Sequence, residues 1–149
     1  MVKKGNIVQM VSNFTMKEFE NNEGWAMVHP TVLDSLENVR FYLGKKYSEI
    51  YGRDLEVKIN ILGSTRTEKR NKELGKQLGW QDEGGVVSRD SRHLEKYGGI
   101  AVDISATIKY NNKLVPQKEL GVACRLFFDY VKDDYKDKHV HADNRVKGK

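Results

Sequence analysis

Ile100, Val102, Ile104 and Ala106 alternate with Ala101, Asp103 and Ser105. That period of two commits the middle of the chain to a strand with one apolar face. The apolar face must be covered, and the other face is left for something else. Asp103 falls on that second face. A similar run lies upstream, where Leu55, Val57, Ile59 and Ile61 alternate with Glu56, Lys58 and Asn60. The cover for both is a helix over about 31–51, with Val32, Leu33, Leu36, Val39, Leu43, Tyr47 and Ile50 recurring at steps of three and four. Pro30 sits in its first turn, where a missing N–H costs nothing. Gly52 follows its last periodic residue, as a helix stop does.

The remaining elements are shorter. Residues 1–12 form a lead-in, and Thr15 caps a short helix over about 16–21. Gly63-Ser-Thr-Arg66 ends the first strand, and the charged segment 67–79 is either a short helix or a surface loop. Gly84-Gly85 opens an irregular region that runs to Gly98-Gly99. Asn111-Asn112 marks a turn. Pro116 precedes a helix over about 116–132, with Leu120, Ala123, Cys124, Phe127 and Val131 on one face. Lys138 to Asp143 read as a last short strand. There is no internal repeat or linker composition, and 149 residues suit one domain spanning 1–149. The expected fold is α+β: a small, mainly antiparallel sheet with helices packed on one side.

Lys and Arg total 26 against 21 Asp and Glu, a net charge of +5. A modest positive balance suits a polyanionic partner such as nucleic acid, an anionic membrane or an acidic cell-wall polymer. The basic residues are scattered, without a recognisable nucleic-acid module, so no specific nucleic-acid partner is expected. No apolar run approaches the roughly 18 residues of a membrane span. The first twelve residues carry charge but no continuous apolar core, so no secretory signal is expected. Cys124 is the only cysteine, so no intrachain disulfide and no cysteine-rich zinc cluster can form. Its apolar neighbours suggest a buried, inert thiol.

Chemistry concentrates in two stretches, Ser91 to Ser105 and His139-Val-His-Ala-Asp143. If the middle and last strands are neighbours, Asp103 and His141 share a face, and the loop entering the middle strand brings His93 over them. Two His and one carboxylate form a mixed N/O set that suits zinc with an open fourth position. The bland alternatives stand beside this reading. A lone Asp on a strand usually faces solvent, and a lone His usually lies on the surface or is satisfied in a core.

Ser91-x-His93 followed by Gly99-Ile-Ala101-x-Asp103 resembles the Ser-x-His…Gly-x-Ala-x-Asp signature of the D-alanyl-D-alanine carboxypeptidase and Hedgehog-type zinc peptidase superfamily. That group includes peptidoglycan carboxypeptidases, murein endopeptidases and phage endolysins. His141-Ala-Asp143-Asn-Arg145 resembles its closing His-x-Asp-x-Arg pattern. Asn13-Phe-Thr-Met-Lys-Glu-Phe19 resembles the lead-in of one branch, and Gly63-Ser-Thr-Arg66 with Asn71 resembles its Ser-Gly-Tyr-Arg…Asn segment. The resemblance covers most of the chain. It implies a Hedgehog/DD-peptidase-like fold, Zn2+ as cofactor, His93, Asp103 and His141 as its ligands, and Arg66 as a group that binds or polarises the substrate carbonyl.

Three departures shape the expected mechanism. Nine residues, Leu94 through Val102, separate His93 from Asp103, more than is usual in the superfamily. The extra length is expected to bulge at Glu95 to Gly99, where glycines permit unusual backbone angles. The arginine segment lacks the usual aromatic. Lys138 stands three residues before the last His, where many catalytic members carry a carboxylate. The general base must then come from elsewhere. His139 is the first candidate, because some members use a His-x-His pair with one His off the metal, and Asp137 is the second. Asp143 either orients His141 or pairs with Arg145 at the surface. Ser91 is expected to hydrogen-bond within the site, and His29 to cap a helix or lie on the surface.

The resemblance therefore implies a zinc metallopeptidase that hydrolyses a peptide bond in peptidoglycan stem peptides. With no signal sequence, it would be made in the cytoplasm and reach the wall after lysis or as part of a virion. The alternative is a structural virion protein that keeps the fold, and the metal, without catalysis.

Overall fold

The computed structural model describes residues 13–149; the expected lead-in over 1–12 lies outside them. A five-stranded antiparallel sheet forms the centre: β1 (Val57–Gly63), β2 (Ala101–Ile108), β3 (Lys113–Leu114), β4 (Tyr130–Lys132) and β5 (Val140–Asp143). The main order is β1-β2-β5-β4. β1 runs along one edge of β2, while β5 pairs with its first half and β3 with its last two residues. Three α-helices complete the described chain: α1 (Pro30–Tyr51), α2 (Glu68–Leu78) and α3 (Gln117–Arg125). This is the α+β arrangement expected.

α1 forms where the periodic pattern places it. The His29 ring nitrogen Nδ1 accepts the Thr31 N–H at 3.2 Å, so His29 caps the helix. Gly52 ends it at φ 66°, the left-handed conformation that glycine takes most freely. Its buried stripe, including Val32, Leu36, Val39 and Leu43, packs on one face of the sheet together with Leu120, Ala123 and Cys124 of α3. Val102, Ile104, Ala106 and Ile108 meet them from β2. Each fully buried aliphatic side chain contributes about 1.5–3 kcal/mol. Cys124 is buried here, and burial pushes its thiol up to about 12.

Two local expectations change, and one left open is decided. The segment near residue 16 is a single 3-10 turn, Met16–Phe19, whose start is held by the Glu18 carboxylate accepting the Thr15 N–H at 2.7 Å. The segment 67–79 is a helix, started by Thr67 Oγ1 accepting the Arg70 N–H. The helix expected over 116–132 stops at Arg125, and Tyr130–Lys132 become β4 instead. Its apolar spacing is helical, but tertiary partners win. The Asp129 N–H bonds to the Asp143 carbonyl, and its carboxylate accepts N–H groups from Val146 and Lys147. Those bonds draw the chain out of the helix and alongside β5. β3, a two-residue strand after the Asn111-Asn112 turn, was not expected from the sequence.

Candidate metal centre

The second face of β2 carries Asp103, and the register puts His141 of β5 directly opposite it. Directly opposed residues hold their Cβ atoms about 4.5–5.5 Å apart, so the carboxylate and the imidazole meet by strand pairing alone. Gly63 opposes Asp103 from the other side, after a register shift that leaves Leu62 out. A Cβ on Gly63 would lie 3.3 Å from Asp103 Oδ2, so the missing side chain leaves room for the carboxylate.

His93 arrives from the long β1–β2 connection. The Arg66 N–H donates to the His93 carbonyl at 2.8 Å, and the Glu95 N–H donates to the Arg66 carbonyl at 3.0 Å. These two bonds lash the His93 loop to the end of β1, and buried Leu94 anchors it. The extra residues before β2 form a 3-10 turn, Glu95–Tyr97, followed by Gly98 and Gly99 at φ 80° and 81°. The bulge is thus where the sequence placed it. Gly99 passes so close to Met27 that a Cβ would lie 2.7 Å from that carbonyl oxygen.

The three expected ligands converge. His93 Nε2 lies 3.1 Å from Asp103 Oδ1 and 3.1 Å from His141 Nδ1, and His141 Nδ1 lies 3.2 Å from Asp103 Oδ1. Ligands held about 2.0–2.1 Å from a tetrahedral zinc ion stand about 3.3 Å apart, so the spacing fits. The protonation pattern fits as well. His93 Nδ1 faces the Ser64 carbonyl at 2.6 Å, and a carbonyl only accepts, so that nitrogen carries the hydrogen. His141 Nε2 donates to Asp143 Oδ2 at 2.8 Å. With those hydrogens placed outward, the inner nitrogens of both rings are the ones that face the Asp103 carboxylate. Two imidazole nitrogens and a carboxylate oxygen so placed could hold a metal ion.

The three groups also shift one another's ionisation. Burial would raise Asp103, but His93 and His141 hold it well below the usual carboxylate range. Burial would lower His141, yet Asp103 and Asp143 raise it. Asp143 is fully buried; burial opposes its charge, but Arg145 and His141 bring it down to about 2. The Arg145 guanidinium grips it at 2.7 and 2.8 Å and stacks on Tyr130, 3.8 Å from the ring centre. Asp143 thus both orients His141 and pairs with Arg145, and it does so away from the surface.

His139 flanks the trio. Its Nε2 is 3.8 Å from Asp103 Oδ1, while Nδ1 bonds to Asp137 Oδ1 at 2.5 Å. Asp137 is largely exposed and reaches the centre only through His139. Lys138 takes φ 72° between them, and its side chain is exposed. Arg66 donates from Nε to Asn71 and from one Nη to Ser91 Oγ, both at 2.9 Å. Neither partner is charged. Burial lowers the Arg66 guanidinium, and nearby Asp103 raises it. Ser91 Oγ also accepts the His93 N–H at 3.2 Å, so it ties arginine to ligand loop.

Sequence reasoning missed two contributors. The Ser64 carbonyl has no residue-type signature, since any residue supplies one. Tyr135 stacks on His139 with ring centres 4.0 Å apart; nothing in the spacing Tyr135 to His139 outside a helix announces that contact. The chain matches no protein-family model and no curated protein.

Proposed function

We propose that this protein is a zinc-dependent peptidase of the Hedgehog/DD-peptidase-like type that hydrolyses a peptide bond in peptidoglycan stem peptides. One observation carries the metal reading: three lone pairs, on His93 Nε2, His141 Nδ1 and Asp103 Oδ1, converge within 3.2 Å while the outer ring nitrogens are committed elsewhere. A zinc ion there supplies Lewis acidity, polarising a carbonyl and acidifying water.

The chain's own residues supply the rest. With its Nδ1 proton held by Asp137, His139 presents the Nε2 lone pair toward the centre and acts as general base. Asp137 is a positioning group, and its pairing with His139 stands in for the carboxylate that Lys138 displaces. Arg66 has charge to spare for a substrate carbonyl or carboxylate, because its hydrogen-bond partners Asn71 and Ser91 are neutral. The net charge of +5 suits an acidic wall polymer, met after lysis or from a virion.

The test is incubation of zinc-loaded protein with purified murein, with mass spectrometry of the released peptides. Cleavage of a stem peptide bond, lost in His139→Ala, is expected. Intact murein with zinc bound favours the other reading, a structural virion protein, for which exposed Lys138 is the specific observation.

A further inference from the structure

The Tyr135 side chain is half-buried beside the centre, and its hydroxyl makes no hydrogen bond among the described residues. Its ring lies nearly parallel to His139, 4.0 Å away and tilted by 18°. The backbone explains why it stays there. The Tyr135 carbonyl accepts from Gln117 Nε2 at 3.0 Å and from the Lys138 N–H at 3.1 Å, closing the turn that leads into β5. Gln117 Nε2 also donates to the His139 carbonyl at 2.9 Å, so one α3 side chain fixes both stacked residues.

The stack sets the phenol beside His139, whose Nε2 lies 3.8 Å from Asp103 Oδ1, and the phenol interacts electrostatically with Asp103 and Arg66. Tyr135 and Arg66 are therefore two donors on the approach to one carboxylate, each with capacity left over. A half-buried hydroxyl with no protein partner is open to water, and equally to an acceptor on an arriving substrate. Burial first, and Asp103 second, push its ionisation up, so it remains a neutral donor.

From this juxtaposition we infer that the Tyr135 hydroxyl donates a hydrogen bond to the scissile carbonyl oxygen, sharing with Arg66 the negative charge that grows there. The inference rests on the peptidase reading. No proton changes hands in this step; the O–H bond stays intact and only its acceptor changes, from water to the carbonyl oxygen. Such a donor acts mainly where charge develops, so it belongs to kcat rather than KM.

The experiment compares wild type with Tyr135→Phe and Tyr135→Leu, each zinc-loaded. Phe keeps the ring on His139 and removes only the hydroxyl. Three quantities are read: zinc affinity, murein turnover, and affinity for a phosphinate analogue of an alanyl-alanine dipeptide, whose tetrahedral anion mimics the charged carbonyl. Tyr135→Phe is expected to hold zinc as wild type does, to lose about 100-fold in kcat with KM little changed, and to bind the phosphinate more weakly by a similar factor. Tyr135→Phe indistinguishable from wild type in phosphinate affinity overturns the inference. So does a loss seen in Tyr135→Leu alone, since that outcome makes the ring a mere support for His139. If wild type binds phosphinate but leaves murein intact, the substrate reading fails, while the phosphinate comparison still decides the role of Tyr135.

Discussion

The two faces of β2 obey different rules. On one, Val102, Ile104 and Ala106 are buried in the apolar cluster with α1 and α3. On the other, Asp103 meets His93 and His141 in an arrangement that invites a cation. The same backbone pairing positions both sets, because residues one apart point to opposite sides. The apolar face supplies the free energy that holds the strand still. The polar face uses that rigidity to keep two imidazoles and a carboxylate together. Damage to one face should therefore register as lost stability, and damage to the other as lost metal.

Ile104→Ala tests the sealed face. Ile104 is fully buried, so denaturant unfolding should show a loss of about 2–5 kcal/mol. The folded fraction should still bind one zinc per chain; a parallel loss of metal affinity breaks the division between faces. His93→Ala tests the other. Zinc affinity should drop more than about 100-fold, since even outer partners of a metal site are worth 10–100-fold. Its unfolding curve without metal should show the smaller loss, that of the His93 contacts with the Ser64 carbonyl and Asp103.

Asp143→Asn sharpens the contrast by keeping shape while removing charge. His141 then loses its anionic acceptor, and zinc affinity measured by chelator competition should fall about 10–100-fold. An unchanged affinity would mean that the Asp143–His141 bond does not set the ring's tautomer.

The smallest effect lies on the helical side, where charge serves as a clamp instead of a ligand. Asp133 is buried between Arg125 at 2.8 Å and Lys118 at 3.3 Å. The Arg125 bond leads in drawing it down to about 2. Because the folded value lies below the unfolded value of about 3.9, its stabilisation is present above about pH 4 and fades as pH falls toward 2. Asp133→Asn should lose about 1–2 kcal/mol near pH 7, with the gap to wild type closing in acid and zinc binding unaffected. A gap that persists at pH 2 contradicts the clamp.

The sequence exposed these faces unevenly. Alternation in Ile100 to Ala106 was enough to put Asp103 opposite the core, and the spacing of α1 was enough to supply its cover. The His93 bulge was legible because Gly98 and Gly99 advertise positive φ. The end of α3 was not. Phe127 and Val131 continue its apolar period, and only the long-range bonds of Asp129 to the C-terminal segment reveal that the chain turns into β4. For the site, residue types announced the ligands but not their outer partners. A backbone carbonyl such as that of Ser64 carries no signature. The stacking of Tyr135 on His139 depends on a turn that Lys138 makes at φ 72°, and lysine does not signal positive φ.

On the proposal above, His93, Asp103 and His141 hold one metal ion with a position left open. X-ray absorption at the zinc edge, on protein reconstituted with one equivalent, tests it most directly. A four-coordinate ion is expected, with only nitrogen and oxygen neighbours at about 2.0–2.1 Å, two of them imidazoles and one of them exchangeable water. A spectrum with no retained zinc, or with the His93 imidazole absent from the first shell, would contradict it.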